Sequence, residues 1–120
     1  MTNQQAQKHR ESGFGHWRWQ RISALVTVVL MIYFTYMVAH IGVMDFAAAR
    51  AFVAMPVHAV ALALLAGVGL LHAALGVQMI IEDYVTLDQG RNRLVVMTRG
   101  LFALLAMASL AAIGSVAGVF

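Results

Sequence analysis

An imidazole in the middle of an apolar run is the clearest sign of chemistry in this chain of 120 residues. His72 is flanked by Leu70, Leu71, Ala73 and Ala74, and an ionisable side chain at such a depth in an apolar helix marks function by default. Two chemistries suit it: ligation of a metal or haem iron, or a neutral hydrogen bond across a helix interface. Asp83 follows 11 residues later, which on an α-helix puts it ~16 Å further along and only ~20° round. Gly69 and Gly76 sit about one turn either side of His72. They serve either ordinary helix packing or clearance for a flat ring. One stripe thus joins a mid-helix imidazole to a carboxylate and the adjoining Tyr84 phenol. The Glu82-Asp83-Tyr84 cluster either marks where the helix leaves lipid or lines a quinone pocket. In such a pocket the Tyr hydroxyl donates to a quinone carbonyl and a nearby acid or water supplies protons.

A second ligand for the same iron is hard to find in this chain. His58 lies 14 residues before His72 on the same helix, ~21 Å away by helical rise. His40 is 19 residues beyond Arg21, so it lies ~28 Å from the inner border, whereas His72 lies ~16 Å from it. That ~12 Å difference in depth makes His40 a poor partner, and His9 and His16 lie outside the apolar runs. A six-coordinate haem at His72 would need its opposite ligand from another polypeptide or a second copy. The chain has no cysteine, which removes thiolate iron–sulfur and zinc sites from it. Arg21 either anchors the first apolar run or neutralises an acidic group such as a propionate. The eight methionines are most simply flexible packing groups.

The elements that must position these residues follow from composition. Apolar residues make up 62% of the chain and charged ones 11%, against ~45–50% and ~25% in soluble domains. Three charge-free intervals stand out: Ile22 to Met44, Ala51 to Ile81 and Gly100 to Phe120, of 23, 31 and 21 residues. A bilayer core needs ~20 helical residues, and lipid obliges each span to satisfy its own backbone hydrogen bonds. The expected fold is therefore all-α, a membrane protein with three transmembrane helices over about 17–44, 56–84 and 93–119. A soluble enzyme is a poor reading because the spans leave little chain for a soluble domain. A folded nucleic-acid-binding domain is a poor one because the basic residues behind a pI near 10 group at membrane borders. No nucleic-acid partner is expected, and lipid surrounds the chain.

Residues 1–15 read as a flexible polar tail and 16–120 as one membrane domain. The first apolar run exceeds the ~7–15 residues of a signal-peptide core and is read as a retained span. Pro56 suits the first position of a helix, so the long middle interval divides into a short segment, Phe46 to Met55, near the outer interface and a span from about Pro56 to Tyr84. Gly90 is expected to end the following turn, with the third helix starting near Arg93. Seven basic residues lie on one side of the membrane (Lys8, Arg10, Arg18, Arg21, Arg91, Arg93 and Arg99) and Arg50 alone on the other. The positive-inside rule then puts the N-terminus in the cytoplasm and the C-terminus outside, in the periplasm. Trp17 and Trp19 suit the inner interface.

Two stretches carry a resemblance. His16-Trp17-Arg18-Trp19-Gln20-Arg21-Ile22-Ser23-Ala24 and the H-x-x-L-G-x-Q-x-x-I-E-D-Y-V pattern from His72 to Val85 resemble the smaller hydrophobic membrane-anchor (D, or cytochrome b small) subunits of succinate dehydrogenase. With the three-span layout, the resemblance covers essentially the full chain. It implies a complex in the bacterial inner membrane in which a flavoprotein subunit with FAD and an iron–sulfur subunit oxidise succinate. Electrons then pass to ubiquinone beside two membrane anchors, which share one haem b ligated by one His from each. Carried over by motif, His72 would be this chain's axial ligand and its metal-binding residue. Tyr84 would donate a hydrogen bond to the quinone, Asp83 would support that pocket or its proton path, and Arg21 would lie near the haem propionates and quinone entrance. Ser23 fills the hydroxyl position of a Q-R-x-[ST]-A pattern and is assigned no direct role. The chain alone would be non-catalytic. Two other readings remain: a small multidrug-type transporter, weakened by the absence of an acidic residue in the first span, and a homodimeric b-type haem protein with His72 from two copies across a twofold axis.

Overall fold

The computed structural model describes residues 3–120, with side chains from Phe14 onward. The tail expected over residues 1–15 is helical from Asn3 onward, as the start of the first helix. Four helices follow one another: α1 (Asn3–Ile41), α2 (Phe46–Ala54), α3 (Pro56–Tyr84) and α4 (Asp88–Val116). Three segments are long and apolar enough to cross a membrane: Phe14–Ile41, Pro56–Tyr84 and Asp88–Val116.

Local chemistry sets the ends. Asp45 caps α2, its Oδ1 accepting the Ala48 N–H at 2.8 Å, which satisfies one of the orphan donors of a first turn. Met55 closes α2 and precedes α3 in extended backbone, and Pro56 begins α3, where its missing N–H is not needed. The first span stops at Ile41 rather than near 44, because Gly42 and Met44 turn back onto Val38 and Ile41.

The third span differs from expectation at both ends. It starts at Asp88, not near Arg93, and Gly90 lies inside its first turn. The Leu87 carbonyl accepts the Arg91 N–H at 2.8 Å, the Asp88 carboxylate suits the positive end of the helix dipole, and Arg91 Nη2 bonds Asp88 Oδ1 at 2.7 Å. At the far end it stops at Val116 rather than 119 because Gly118 adopts φ +73°. Val119 N–H then reaches the Gly114 carbonyl and Gly118 N–H that of Ser115, the paired bonds of a Schellman cap. The Phe120 ring folds over Gly114, where a Cβ would approach it to 2.6 Å.

Helix α3 lies between α1 and α4 and packs on both. The pairs Ser23–His72 and Tyr33–His58 show that α1 and α3 run antiparallel. Few side chains are fully buried, and Ser23 (3% exposed), His58 (6%) and Gln78 (8%) stand among them beside Met37 (1%). Most large apolar groups on the spans point outward. Polar contacts inside and an apolar exterior suit a lipid surround, where helices associate through close packing and interhelical hydrogen bonds.

Candidate functional site

The α1–α3 seam holds the site. His72 is half-buried, and its Nδ1 lies 3.1 Å from Ser23 Oγ. The same Oγ lies 3.1 Å from the Gln20 carbonyl three residues back on α1. Only one proton arrangement serves both contacts. A carbonyl can only accept, so the single hydroxyl hydrogen goes to Gln20, and Oγ is left to accept from His72 Nδ1–H. Nδ1 is thereby the nitrogen that carries a hydrogen, and Nε2 is left without a partner among the described hydrogen bonds. An imidazole held through one nitrogen so that the other can bind a metal is the usual form of a His ligand.

The same contact corrects the depth expected for Arg21. Ser23 is level with His72, so Arg21, two residues earlier, lies only ~3 Å of helical rise from that level. Asp83, at the end of α3, lies ~16 Å of rise from the His72 level, so the matching end of the first span lies well before Arg21. Arg21 is exposed, with its guanidinium 4.4 Å over the Trp17 ring, a cation–π contact on the flank of the helix.

His40, 17 residues beyond Ser23, lies ~26 Å of rise from the His72 level rather than ~12 Å. It belongs to an aromatic cluster at the opposite end of the bundle. There its ring lies 4.1 Å from that of Tyr36, and the buried His58 stacks on Phe52 at 4.0 Å and meets the Tyr33 hydroxyl at 2.8 Å through Nδ1. Neither histidine approaches His72. Among the described residues no three His, Cys, Asp or Glu side chains converge as a metal site. Asp83 and Tyr84 end α3, exposed to the surroundings, Tyr84 at 83%. They lie ~16–18 Å of rise from His72 and touch neither it nor Arg21 among the described hydrogen bonds.

The glycines leave room. A Cβ at Gly76 would lie 3.6 Å from Gln20 Nε2, and one at Gly69 would lie 3.8 Å from Leu65 on its own helix. Both are ordinary contacts, so packing within this chain does not require glycine at either place.

Residues to which the sequence assigns no role complete the picture. Gln78 accepts two hydrogen bonds from Arg99, at 3.1 and 2.8 Å, through Oε1. It donates to Glu82 Oε1 at 2.6 Å through Nε2, so a neutral amide bridges a cation on α4 and an anion on α3. Above this bridge a groove of about 400 Å³, lined by Leu70, Leu71, Ala74 and Phe102, opens between the two helices. The signal available for Ser23, Gln20 and Gln78 was their polarity inside apolar spans. Which neighbour each would meet depends on helix register.

Comparison with known proteins agrees with this architecture. Residues 2–113 match the family described as succinate dehydrogenase/fumarate reductase transmembrane subunit. The chain is 30% identical over 102 residues to the succinate dehydrogenase hydrophobic membrane anchor subunit of Rickettsia felis, covering 85% of this chain and 84% of that one. It is 29% identical over 100 residues to the like-named subunit of Rickettsia bellii, covering 79% and 75%. No solved structure matches significantly. A match over nearly the whole length, on three apolar spans of the kind described above, assigns this chain to the succinate dehydrogenase/fumarate reductase transmembrane subunit family.

Proposed function

We propose that this chain is the smaller membrane anchor of a bacterial succinate dehydrogenase, where His72 supplies one axial ligand to a haem b shared with a second anchor subunit. The observation that carries the reading is the free Nε2 of an imidazole whose Nδ1–H is held by Ser23. The residues present fit the group. His72 sits in an apolar helix with no second histidine within reach among the described residues, and glycines that packing does not demand flank it. When bound, a bis-imidazole haem supplies one-electron transfer with no open position for oxygen. Arg21, ~3 Å of rise from the His72 level and exposed, suits pairing with a propionate carboxylate.

The partners are the second anchor, an iron–sulfur subunit and a flavoprotein subunit carrying FAD. They dock on the cytoplasmic side of the inner membrane, the side of the N-terminus and the α3–α4 turn. Ubiquinone approaches there. Tyr84, 83% exposed at the end of α3, offers its phenol to a quinone carbonyl, and Asp83 lies beside it. Purification through this chain, with subunit identification and a reduced-minus-oxidised visible spectrum, tests the assignment. A b-type spectrum with four different subunits is expected. A colourless preparation would overturn the haem role, and a coloured one containing only this chain would indicate a homodimeric haem protein.

Tyr84→Phe checks the quinone contact. The ring is exposed, so the fold loses nothing by the change, and one hydrogen bond worth about 1 kcal/mol corresponds to roughly fivefold in rate. The ratio of quinone-linked to soluble-acceptor-linked succinate oxidation should fall by that factor. An unchanged ratio would take Tyr84 out of the pocket.

A further inference from the structure

Four polar residues on α1 lie at intervals of four, three and four: His16, Gln20, Ser23 and Thr27. At ~100° per residue they occupy a single arc of ~60°, and the arc faces α3, where Ser23 meets His72 and Gln20 meets Gly76. Three of the four leave a buried atom with no hydrogen-bond partner among the described residues: His16 Nε2, Gln20 Oε1 and Thr27 Oγ1. Each such atom costs a few kcal/mol in a dry setting, and a buried polar group without a protein partner calls for another one, such as ordered water. Their common stripe points to one common source of partners.

Further along, Phe34 continues that arc and Leu30 and Met37 lie beside it, and Met37 is 1% exposed. The polar stripe is therefore closed at the far end and continuous toward the end where His16 lies. A protein partner cannot reach atoms already enclosed between α1 and α3, but water is small enough to enter along the seam. The arc offers the two to four polar partners that a buried water needs.

We propose that the His16–Gln20–Ser23–Thr27 stripe is a water-binding track, open at the His16 end, that hydrates the α1–α3 seam past the His72 level to Thr27 and stops at Leu30. A second consequence rests on the haem reading above. Solvent access and local dielectric around a metal site tune its potential, and nearby water favours the more highly charged ferric form. The track therefore holds the midpoint potential of a haem at His72 below that of a dry seam.

The chain's lack of cysteine allows the track to be read directly. Thr27→Cys exchanges a hydroxyl for a thiol of similar shape, and Leu30→Cys places the same reporter three residues further along the stripe. The whole complex in lipid nanodiscs is exposed to X-ray radiolysis, and oxidation is read by mass spectrometry. The thiol at position 27 should oxidise several-fold faster than that at position 30, with native Met37 as the dry reference if Leu30→Cys fails to assemble. Equal protection at 27 and at the reference would overturn the track. In the second arm, Gln20→Leu should raise the haem midpoint potential. An unchanged potential alongside rapid oxidation at position 27 would overturn the electrostatic consequence while keeping the track. A colourless wild-type complex would remove the haem reading and leave the labelling result to decide the track.

Discussion

His72→Ala should abolish the b-type spectrum of the complex purified through this chain, or leave it with a small fraction of the wild-type haem. Among the described residues no other imidazole lies at that depth of the α1–α3 seam, His16 being ~10 Å of rise away and His58 ~21 Å, so its loss leaves at most one axial ligand, from the partner. The fold should survive. Alanine is the best helix former, the side chain removed is only half-buried, and the helix continues for three turns on either side. His58→Ala is the matched control. It also removes a histidine from α3, in this case a buried one bonded to Tyr33, but ~21 Å of rise away. It should lower stability and leave the haem bands in place. Loss of haem in both variants would point to general unfolding, and retention in His72→Ala would dismiss the ligand.

Much of this arrangement is legible in the residues themselves, for reasons that differ by feature. Charge-free intervals reveal spans because lipid penalises charge so heavily. They do not reveal where a helix enters lipid. Arg18 and Arg21 interrupt the apolar run without interrupting the span, since long basic side chains can keep their stems on apolar surface while the charge reaches outward. A border counted from Arg21 is therefore too deep, and His40 stands about twice as far from the His72 level as that count implies, which strengthens its exclusion as a partner.

Glycine shows the same limit at the helix ends. Gly90 and Gly118 look alike in sequence, yet Gly90 sits within the first turn of α4 while Gly118, at φ +73°, ends it. What separates them is whether the following N–H groups can fold back onto free carbonyls. At Gly118 they can, and at Gly90 the Asp88–Arg91 pair and the Leu87 carbonyl already favour helix. The site divides similarly. His72 announces itself by polarity and depth, whereas Ser23 matters only through the antiparallel register of α1 on α3, which packing decides. Arg99 is likewise unremarkable until Gln78 is seen to bridge it to Glu82.

Ser23 supplies the sharpest test of that register. Ser23→Ala deletes the oxygen that accepts His72 Nδ1–H and frees the Gln20 carbonyl from its side-chain donor. With no partner at Nδ1 the ring can rotate, and the proton can move to Nε2, the nitrogen that iron needs unprotonated. Loss of such an outer hydrogen bond to a metal-binding histidine typically costs roughly 10–100-fold in affinity. Haem should therefore pass from the Ser23→Ala complex to a haem-scavenging protein faster by about that factor, although both helices remain intact. Ser23→Thr separates the hydroxyl from its surroundings. A threonine in a helix can still turn its Oγ1 toward the carbonyl three or four residues back, so the same clamp can form despite one extra methyl. Slow haem transfer in Ser23→Thr together with fast transfer in Ser23→Ala would locate the effect in the hydroxyl. Wild-type transfer in Ser23→Ala would mean that the seam holds the imidazole by packing alone, and the tautomer argument for a free Nε2 would fall with it.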